Sequence, residues 1–502
     1  VPSHALRLAV APATGPLANA LAAIAPALGI TREFPADVLA EAQAAAAHPV
    51  LPDLDATDVP FVTIDPAGSI DLDQALYLER TATGYRVRYA IADVPSFVLP
   101  GSLLDAEARK RGQTIYPPDG PIPLHPLVLS NGATSLLPSQ LRSAFVWDFA
   151  LDADARVTST TVKRARIRST AKLDYEGVQK AIDVGGADEN LALLKEIGLK
   201  RIQLEIERGA ANLMMPEAEV DQVGDGYVIT RRSPLPVEDW NAQLSLMTGM
   251  AAADLMIGAK VGILRTMPAA DEGAIHRFRN QTIALGRPWP ASQPYGEYLR
   301  ALDTTDSKQI AIMHAAAALF RGAGYTAFDG SVPVGLVQAA VGASYSHTTA
   351  PLRRLVDRFV LVICEAISGG SEIPNWAREA LPDLPAIMDR TGNIASQFDH
   401  RALDAVEAAL LTGHVGEVFD ATVIALTKTG GSIQLTEPAV TAHCNGQLTD
   451  GAIVRARLVH ADIASGTVLF ELAYGSGSVP RPPETPGGST RGVPPDAQAP
   501  RP

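Results

Sequence analysis

Apolar and polar positions along the chain change period three times. Residues 1 to 55 are Ala-rich, read as one or two helices with a loop, and end at "HPVLPDLDATDVP". A strand-rich block follows. "VPFVTI", "QALYLER" and "YRVRYAIADV" are β-branched or aromatic runs separated by turn residues, and "SAFVWDFAL" with "ARVTSTTVKRARIRS" predicts a hairpin whose second strand alternates. From about Asn190 the apolar spacing becomes three and four. It predicts helices over "LALLKEIGLKRIQLEIERGA", "DWNAQLSLMTGMAAADLMIGA", "DSKQIAIMHAAAALFRGA", "PLRRLVDRFVLVICEAIS" and "NIASQFDHRALDAVEAALL". Residues 415 to about 474 return to short strands joined by Gly, Asp and Asn turns, which predicts a small barrel of the OB type, a fold that binds oligonucleotides. The remaining Pro/Gly-rich segment has no periodicity and is expected to be disordered.

Inside the strand-rich block, "TIDPAGSIDLDQAL" crowds negative charge onto one bend. Asp65 ends an apolar strand, Pro66, Gly68 and Ser69 make the turn, and Asp71 and Asp73 begin the next extended segment. Positions i and i+2 of a strand face one side, so Asp71 and Asp73 can point together toward Asp65. Carboxylates that close repel one another and raise each other's pKa unless a cation intervenes. Hard oxygens with few other ligands suit magnesium or manganese; the regular D-x-D-x-D-G spacing of a calcium loop is absent. A solvated acidic turn is the other reading of the motif by itself.

Composition narrows the picture. The 502 residues are 47% hydrophobic and 19% charged, as in soluble enzymes of two to four domains. A formal net charge of -13 excludes a protein that coats nucleic acid through a basic surface, and leaves room for a local basic channel. Cys364 and Cys444 lie far apart, with no disulfide framework or zinc spacing, so a reducing, cytoplasmic setting is expected. Leu8 to Ile30 is uncharged, yet Pro12, Gly15, Pro16, Pro26 and Gly29 interrupt it, which favours a short surface helix over a signal peptide or membrane span. No P-loop or Rossmann glycine pattern occurs.

The carboxylate turn resembles the catalytic signature of the ribonuclease II family, whose RNB domain hydrolyses single-stranded RNA from the 3′ end. "YAIADVPSFVLPGSLLDAEARKRGQTIYPP", "IRSTAKLDYEGVQ", "IERGAANLMMPEAEV" and "ASYSHTTAPLRRLVDRFV" resemble further family segments, in family order, over roughly residues 58 to 412. The resemblance implies an α+β fold: an RNB catalytic domain over 56–413, an OB-type RNA-binding barrel over 414–474, an Ala-rich helical segment over 1–55, and a disordered tail over 475–502. With only about 55 residues before the catalytic block, it also implies a form without the family's usual N-terminal cold-shock domains. The chain is expected to act as a monomer on single-stranded RNA, with no membrane association.

By the same resemblance Asp65, Asp71 and Asp73 take the metal-site positions, Asp73 being the most essential to cleavage. Gln74 stands where the family usually has a fourth aspartate. A neutral amide binds magnesium less well, so a raised magnesium requirement is expected, with manganese as a partial substitute. Arg353 and Arg354, after Ser346, His347, Thr348 and Thr349 at a predicted helix start, form a candidate phosphate clamp, with Arg353 placed to stabilise the scissile phosphate. Read alone, such an Arg pair is a surface salt-bridge partner. Tyr116 resembles the tyrosine that stacks on a 3′-terminal base, and Tyr175 one near the RNA path. Packing is the plainer role for either. Glu407 aligns with a late family glutamate and, with His347, is expected to contact RNA; an exposed helix face is the plainer reading of Glu407. Two further departures, Ala90 for the family's His and Ala242-Gln243 for its helical Glu pair, imply a differently tuned channel.

Overall fold

The computed structural model describes residues 6–8, 15–117, 120–211, 217–223, 226–303, 306–320, 322–435, 437–438 and 440–473. The tail expected to be disordered lies outside them. The Ala-rich segment supplies two helices, α1 (Pro16–Ala27) and α2 (Ala36–Ala47). The strand-rich block then builds one mixed sheet from β1 (Val62–Asp65), β2 (Gln74–Thr81) and β3 (Gly84–Ala92). Helix α3 (Leu103–Arg111) precedes β4 (Leu141–Asp152), β5 (Val157–Arg168) and β6 (Ala171–Asp174).

The strand order is β5-β4-β3-β2-β1-β6. Only β1 and β6 run parallel, in register from Val62↔Ala171 to Asp65↔Asp174. Both faces are covered, which explains why these strands carry so many apolar residues. Val87, Tyr89, Ile91, Phe145 and Trp147 join a core with the later helices. Ala90, Ala92, Ala144 and Ile167 join another with Val38 and Ala42 of α2.

Four helices carry the first core onward: α4 (Tyr175–Asp183), α5 (Glu189–Glu207), α6 (Pro236–Ala259) and, after the antiparallel pair of β7 (Val261–Thr266) with the distant β8 (Gly324–Asp329), α7 (Leu355–Gly369). Asp174 and Asp188 cap α4 and α5 by accepting backbone N–H groups. The sequence pattern places the start of α7 too early. Arg354 is extended, and the helix opens at Leu355. Buried Arg358 ties α7 to α3 through Asp105 (2.5 Å) and the Val98 carbonyl (2.8 Å).

The long helix α8 (Leu384–Leu411) leads to β9 (Val418–Leu426), β10 (Gly430–Leu435), β11 (Thr441–Asn445), β12 (Ile453–Asp462) and β13 (Thr467–Leu472). These five close into the barrel the pattern predicts, in the order β9-β10-β11-β13-β12. Leu17, Leu21 and Ile24 of α1, Phe398 and Val406 of α8, and the barrel's interior residues form one continuous core. Cys364 and Cys444 are both buried and unpaired. Among the described residues no helix is long and apolar enough to cross a membrane.

Candidate active site

The acidic turn joins β1 to β2 and is pinned from below. Ser135 donates its hydroxyl to the Ile70 carbonyl (2.6 Å) and accepts the Leu72 N–H (3.0 Å), while the Leu72 side chain is fully buried. The Asp73 carbonyl accepts from Ala92 of β3 (2.9 Å). Burying Leu72 in this way fixes the alternation that the i, i+2 argument needs. Asp73 faces inward, 5% exposed, and Asp71 lies at the rim.

The opposing wall is the segment 345–355. It approaches α6 at Gly249, where an added Cβ would lie 2.2 Å from the Tyr345 ring, so only glycine permits the contact. Ser346 N–H donates to the Gly249 carbonyl, and the Ser346 hydroxyl to that of Ile263 on β7. Thr114 N–H donates to the Arg353 carbonyl and Leu355 N–H to that of Gly112. This backbone pairing brings the segment bearing Tyr116 alongside Arg353.

Asp73 meets that wall directly. Its Oδ1 accepts the Leu352 N–H at 2.8 Å, and Arg353 Nε lies 3.6 Å from Oδ2. The Arg353 side chain stays 47% exposed, open to a ligand on its other side. Burial pushes Asp73 up to about 8, against the pull of Arg353 and the Leu352 N–H. Burial likewise raises Asp65 to about 6, and the charge of Arg353 again opposes it. The Tyr116 ring is about half exposed; burial around its hydroxyl raises the phenol to about 12 while Arg353 draws it down. Tyr175, raised to about 12 by burial and by Asp65, accepts from Asn241 Nδ2 (3.3 Å). Asp65, Asp71, Asp73, Arg353, Tyr116 and Tyr175 are thus brought to one place.

Four expected site residues sit differently. Arg354 spends its guanidinium on Asp357, with contacts of 3.0, 3.2 and 2.7 Å to a fully buried carboxylate, so it cannot serve as the second arm of a clamp. His347 is held by Tyr325 through Nδ1 (2.7 Å) and by the edge of Tyr345. Burial and the nearby Arg354 and Arg265 keep it neutral, so it braces the wall. Glu407 is not on an exposed helix face. It is 8% exposed between α8 and the barrel, accepts the Thr441 N–H (3.2 Å), and is raised to about 8 by burial.

Gln74, expected among the metal ligands, has both ends of its amide taken. Tyr89 donates to Oε1 (2.7 Å), and Nε2 donates to the Thr349 carbonyl (2.5 Å). It is a brace between β2, β3 and the opposing wall. Gln74→Asp removes the donor and sets a carboxylate against a carbonyl. It is expected to lower unfolding stability by about 1–3 kcal/mol, measured by urea titration, rather than to lower the magnesium requirement. An unchanged urea midpoint would show the brace to be dispensable.

Asn241, Ser245, Tyr89 and Asp357 escaped the sequence reading. Asn241 and Ser245 stand four apart on α6 and face the site, toward Tyr175 and Thr349 (2.6 Å). Gln243 points away, into a buried network with Glu205 and Arg300.

The three aspartates do not form a preassembled cage: no group of three or more His, Cys, Asp or Glu side chains among the described residues is arranged to hold a metal ion. The donor chemistry nevertheless fits one. Asp65 and Asp73 are desolvated hard-oxygen donors, Asp71 adds charge against both, and Arg353 is the nearest compensating cation. Such a set suits a magnesium-class ion that keeps much of its water.

Comparison with known proteins gives the family and the fold. Residues 54–368 match the model of the RNB domain, and residues 417–473 that of the RNase II-type exonuclease C-terminal S1 domain. Ribonuclease R of Thermotoga maritima is 25% identical over 484 residues, covering 88% of this chain and 68% of the relative. The chain spans 37%, 50% and 55% of the length of three further relatives of that name. The apo structure of Mycoplasma genitalium RNase R superposes with a TM-score of 0.79 at 20% identity, over 91% of this chain and 78% of the other. That protein is also known in complex with ribose-methylated single-stranded RNA and with double-stranded RNA. Yeast Ssd1, a pseudonuclease, shares the fold with a TM-score of 0.67 at 18% identity, over 88% and 58% of the two chains.

Proposed function

Because this chain belongs to the RNB-domain family of ribonuclease II-type exonucleases, we propose that it hydrolyses single-stranded RNA from the 3′ end, releasing nucleoside 5′-monophosphates with the help of magnesium. The observation that carries this reading is the pairing of buried Asp73 with half-open Arg353 beside the exposed ring of Tyr116. Asp65 and Asp73, with Asp71, would hold the ion. When bound, magnesium supplies activation of the attacking water and charge against the leaving 3′ oxygen. Arg353 meets the non-bridging oxygens of the scissile phosphate on its open side. Tyr116 offers a ring to the terminal base, a contact that tolerates any sequence. Leu352 N–H and the Arg353 guanidinium fix the orientation of the Asp73 carboxylate before the substrate arrives.

A second reading, an RNA-binding protein without nuclease activity, is favoured by Gln74 at the fourth aspartate position and by the fold shared with a pseudonuclease. One experiment separates the two. Single-stranded RNA labelled at its 5′ end should shorten progressively in magnesium, while the same RNA labelled at its 3′ end should release a labelled 5′-monophosphate at once. Endonucleolytic fragments, or 3′-monophosphates, would overturn the proposal.

A further inference from the structure

The carboxylate turn is fastened toward Asp73 by Ser135 and Ala92, and a separate contact holds its other end. β1 and β2 flank the turn, yet they pair only at Val62↔Leu76, so no ladder between them reaches residues 63–75. The strand that does run alongside Asp65 is β6, in register through Thr63↔Lys172 and Asp65↔Asp174. Lys172 therefore shares a face with Thr63 and Asp65. Its ammonium group reaches past the end of β1 and donates to the Ala67 carbonyl at 3.0 Å.

This end of the turn has little else to hold it. Ala67 and Gly68 are exposed, and a Cβ added at Gly68 would meet nothing within 4 Å, so the tip is not packed there. Ser69 N–H closes the bend on the Pro66 carbonyl (2.9 Å), which fixes the shape of the bend but not its place against the sheet. The Asp65 carboxylate also lacks the anchor that Leu352 N–H gives Asp73. Among the described residues no hydrogen-bond donor meets it, and the cations acting on it are Arg353 and Lys172. A segment with so few packed atoms keeps its position through its polar contacts, and the loss of one frees it locally.

We propose that Lys172 is a positioning residue: by holding the Ala67 carbonyl it sets where Asp65 stands relative to Asp73, and so whether the two carboxylates can meet one divalent ion. In this role it touches neither the ion nor the RNA. Groups that orient the ligands of a metal in this way are worth about 10- to 100-fold in metal affinity or activity. The catalytic consequence rests on the activity proposed above, whereas the tie between Lys172 and the turn does not.

The test compares the whole chain with its Lys172→Met and Lys172→Arg variants. Methionine keeps an apolar stem and loses the donor, while arginine keeps a charged donor. Should Lys172→Met not fold, Lys172→Gln, a shorter neutral side chain, takes its place. Hydrogen exchange is read first, in EDTA and without RNA, at the Ser69 and Leu72 amides, the one bonded to Pro66 and the other to Ser135. Exchange at Ser69 is expected to be at least tenfold faster in Lys172→Met and close to wild type in Lys172→Arg, with Leu72 little changed in either. In magnesium, kcat for RNA should fall at least tenfold in Lys172→Met at unchanged KM and be restored in Lys172→Arg. Ser69 exchange in Lys172→Met equal to wild type would overturn the proposal whatever the activity. Equal acceleration at Ser69 and Leu72 would make Lys172 a general stabilising contact and overturn it too, as would faster Ser69 exchange with kcat unchanged. A wild-type chain that cuts no RNA would overturn the nuclease reading instead, and exchange at Ser69 would still decide whether Lys172 holds the turn.

Discussion

Asp73→Asn is expected to lower the rate of RNA cleavage by about 10³-fold or more while changing RNA affinity by no more than about threefold. The asymmetry follows from how Asp73 is held. Its Oδ1 accepts from Leu352 N–H, a role an asparagine oxygen can keep, so the turn and the wall stay joined. What disappears is the ionisable carboxyl beside Arg353, whose charged form burial disfavours and a divalent ion would stabilise. The exposed Tyr116 ring and the barrel, where RNA contacts are expected, are untouched. Single-turnover rates and filter-binding affinities on the same RNA check both halves. Turnover equal to wild type would remove Asp73 from the chemistry.

The second large effect separates two neighbouring arginines. Arg353→Ala is expected to reduce kcat by about 10²- to 10³-fold with little change in KM, because a donor aimed at charge developing on the phosphate acts mainly in the transition state. Arg354→Ala should behave otherwise. It strips the partner from Asp357, which is fully buried, and breaking such a pair costs about 3–5 kcal/mol of stability. Kinetics and urea unfolding of the two variants should therefore be mirror images. A loss of affinity alone in Arg353→Ala would make it a positioning residue.

The sequence pattern made much of this architecture legible, for reasons visible in particular residues. The five barrel strands are short apolar runs separated by Gly, Asp and Asn turn residues, so their spacing survives without tertiary information. The hairpin of β4 and β5 was likewise written in the alternation of its second strand. The pair β7 and β8 was not, because β7 follows α6 with only Lys260 between them, in a left-handed conformation that no glycine announces. The start of α7 was misplaced because Arg353 and Arg354 look helical by composition, yet their backbone is committed to the turn at Ala350 and to the Gly112–Thr114 segment.

The site was legible where identity decides and illegible where direction does. Asp65, Asp73, Arg353 and Tyr116 could be named because their segments resemble those of the family; read alone, they fit a solvated turn, a surface salt bridge and a packing ring. Gln74 and Glu407 could be named too, but nothing in one sequence says which neighbour a strand-end amide or a helical glutamate will meet. The spacing of Arg354 and Asp357, three apart at a helix start, was the one overlooked signal that would have removed Arg354 from the clamp.

The most direct measurement follows binding and cleavage of one 5′-labelled single-stranded RNA together, across a magnesium titration and in EDTA. The account predicts that the RNA is bound in both conditions and shortened from its 3′ end only when magnesium is present. RNA that is bound yet remains intact at every magnesium and manganese concentration would contradict it, and would make this chain an RNA-binding relative without the chemistry.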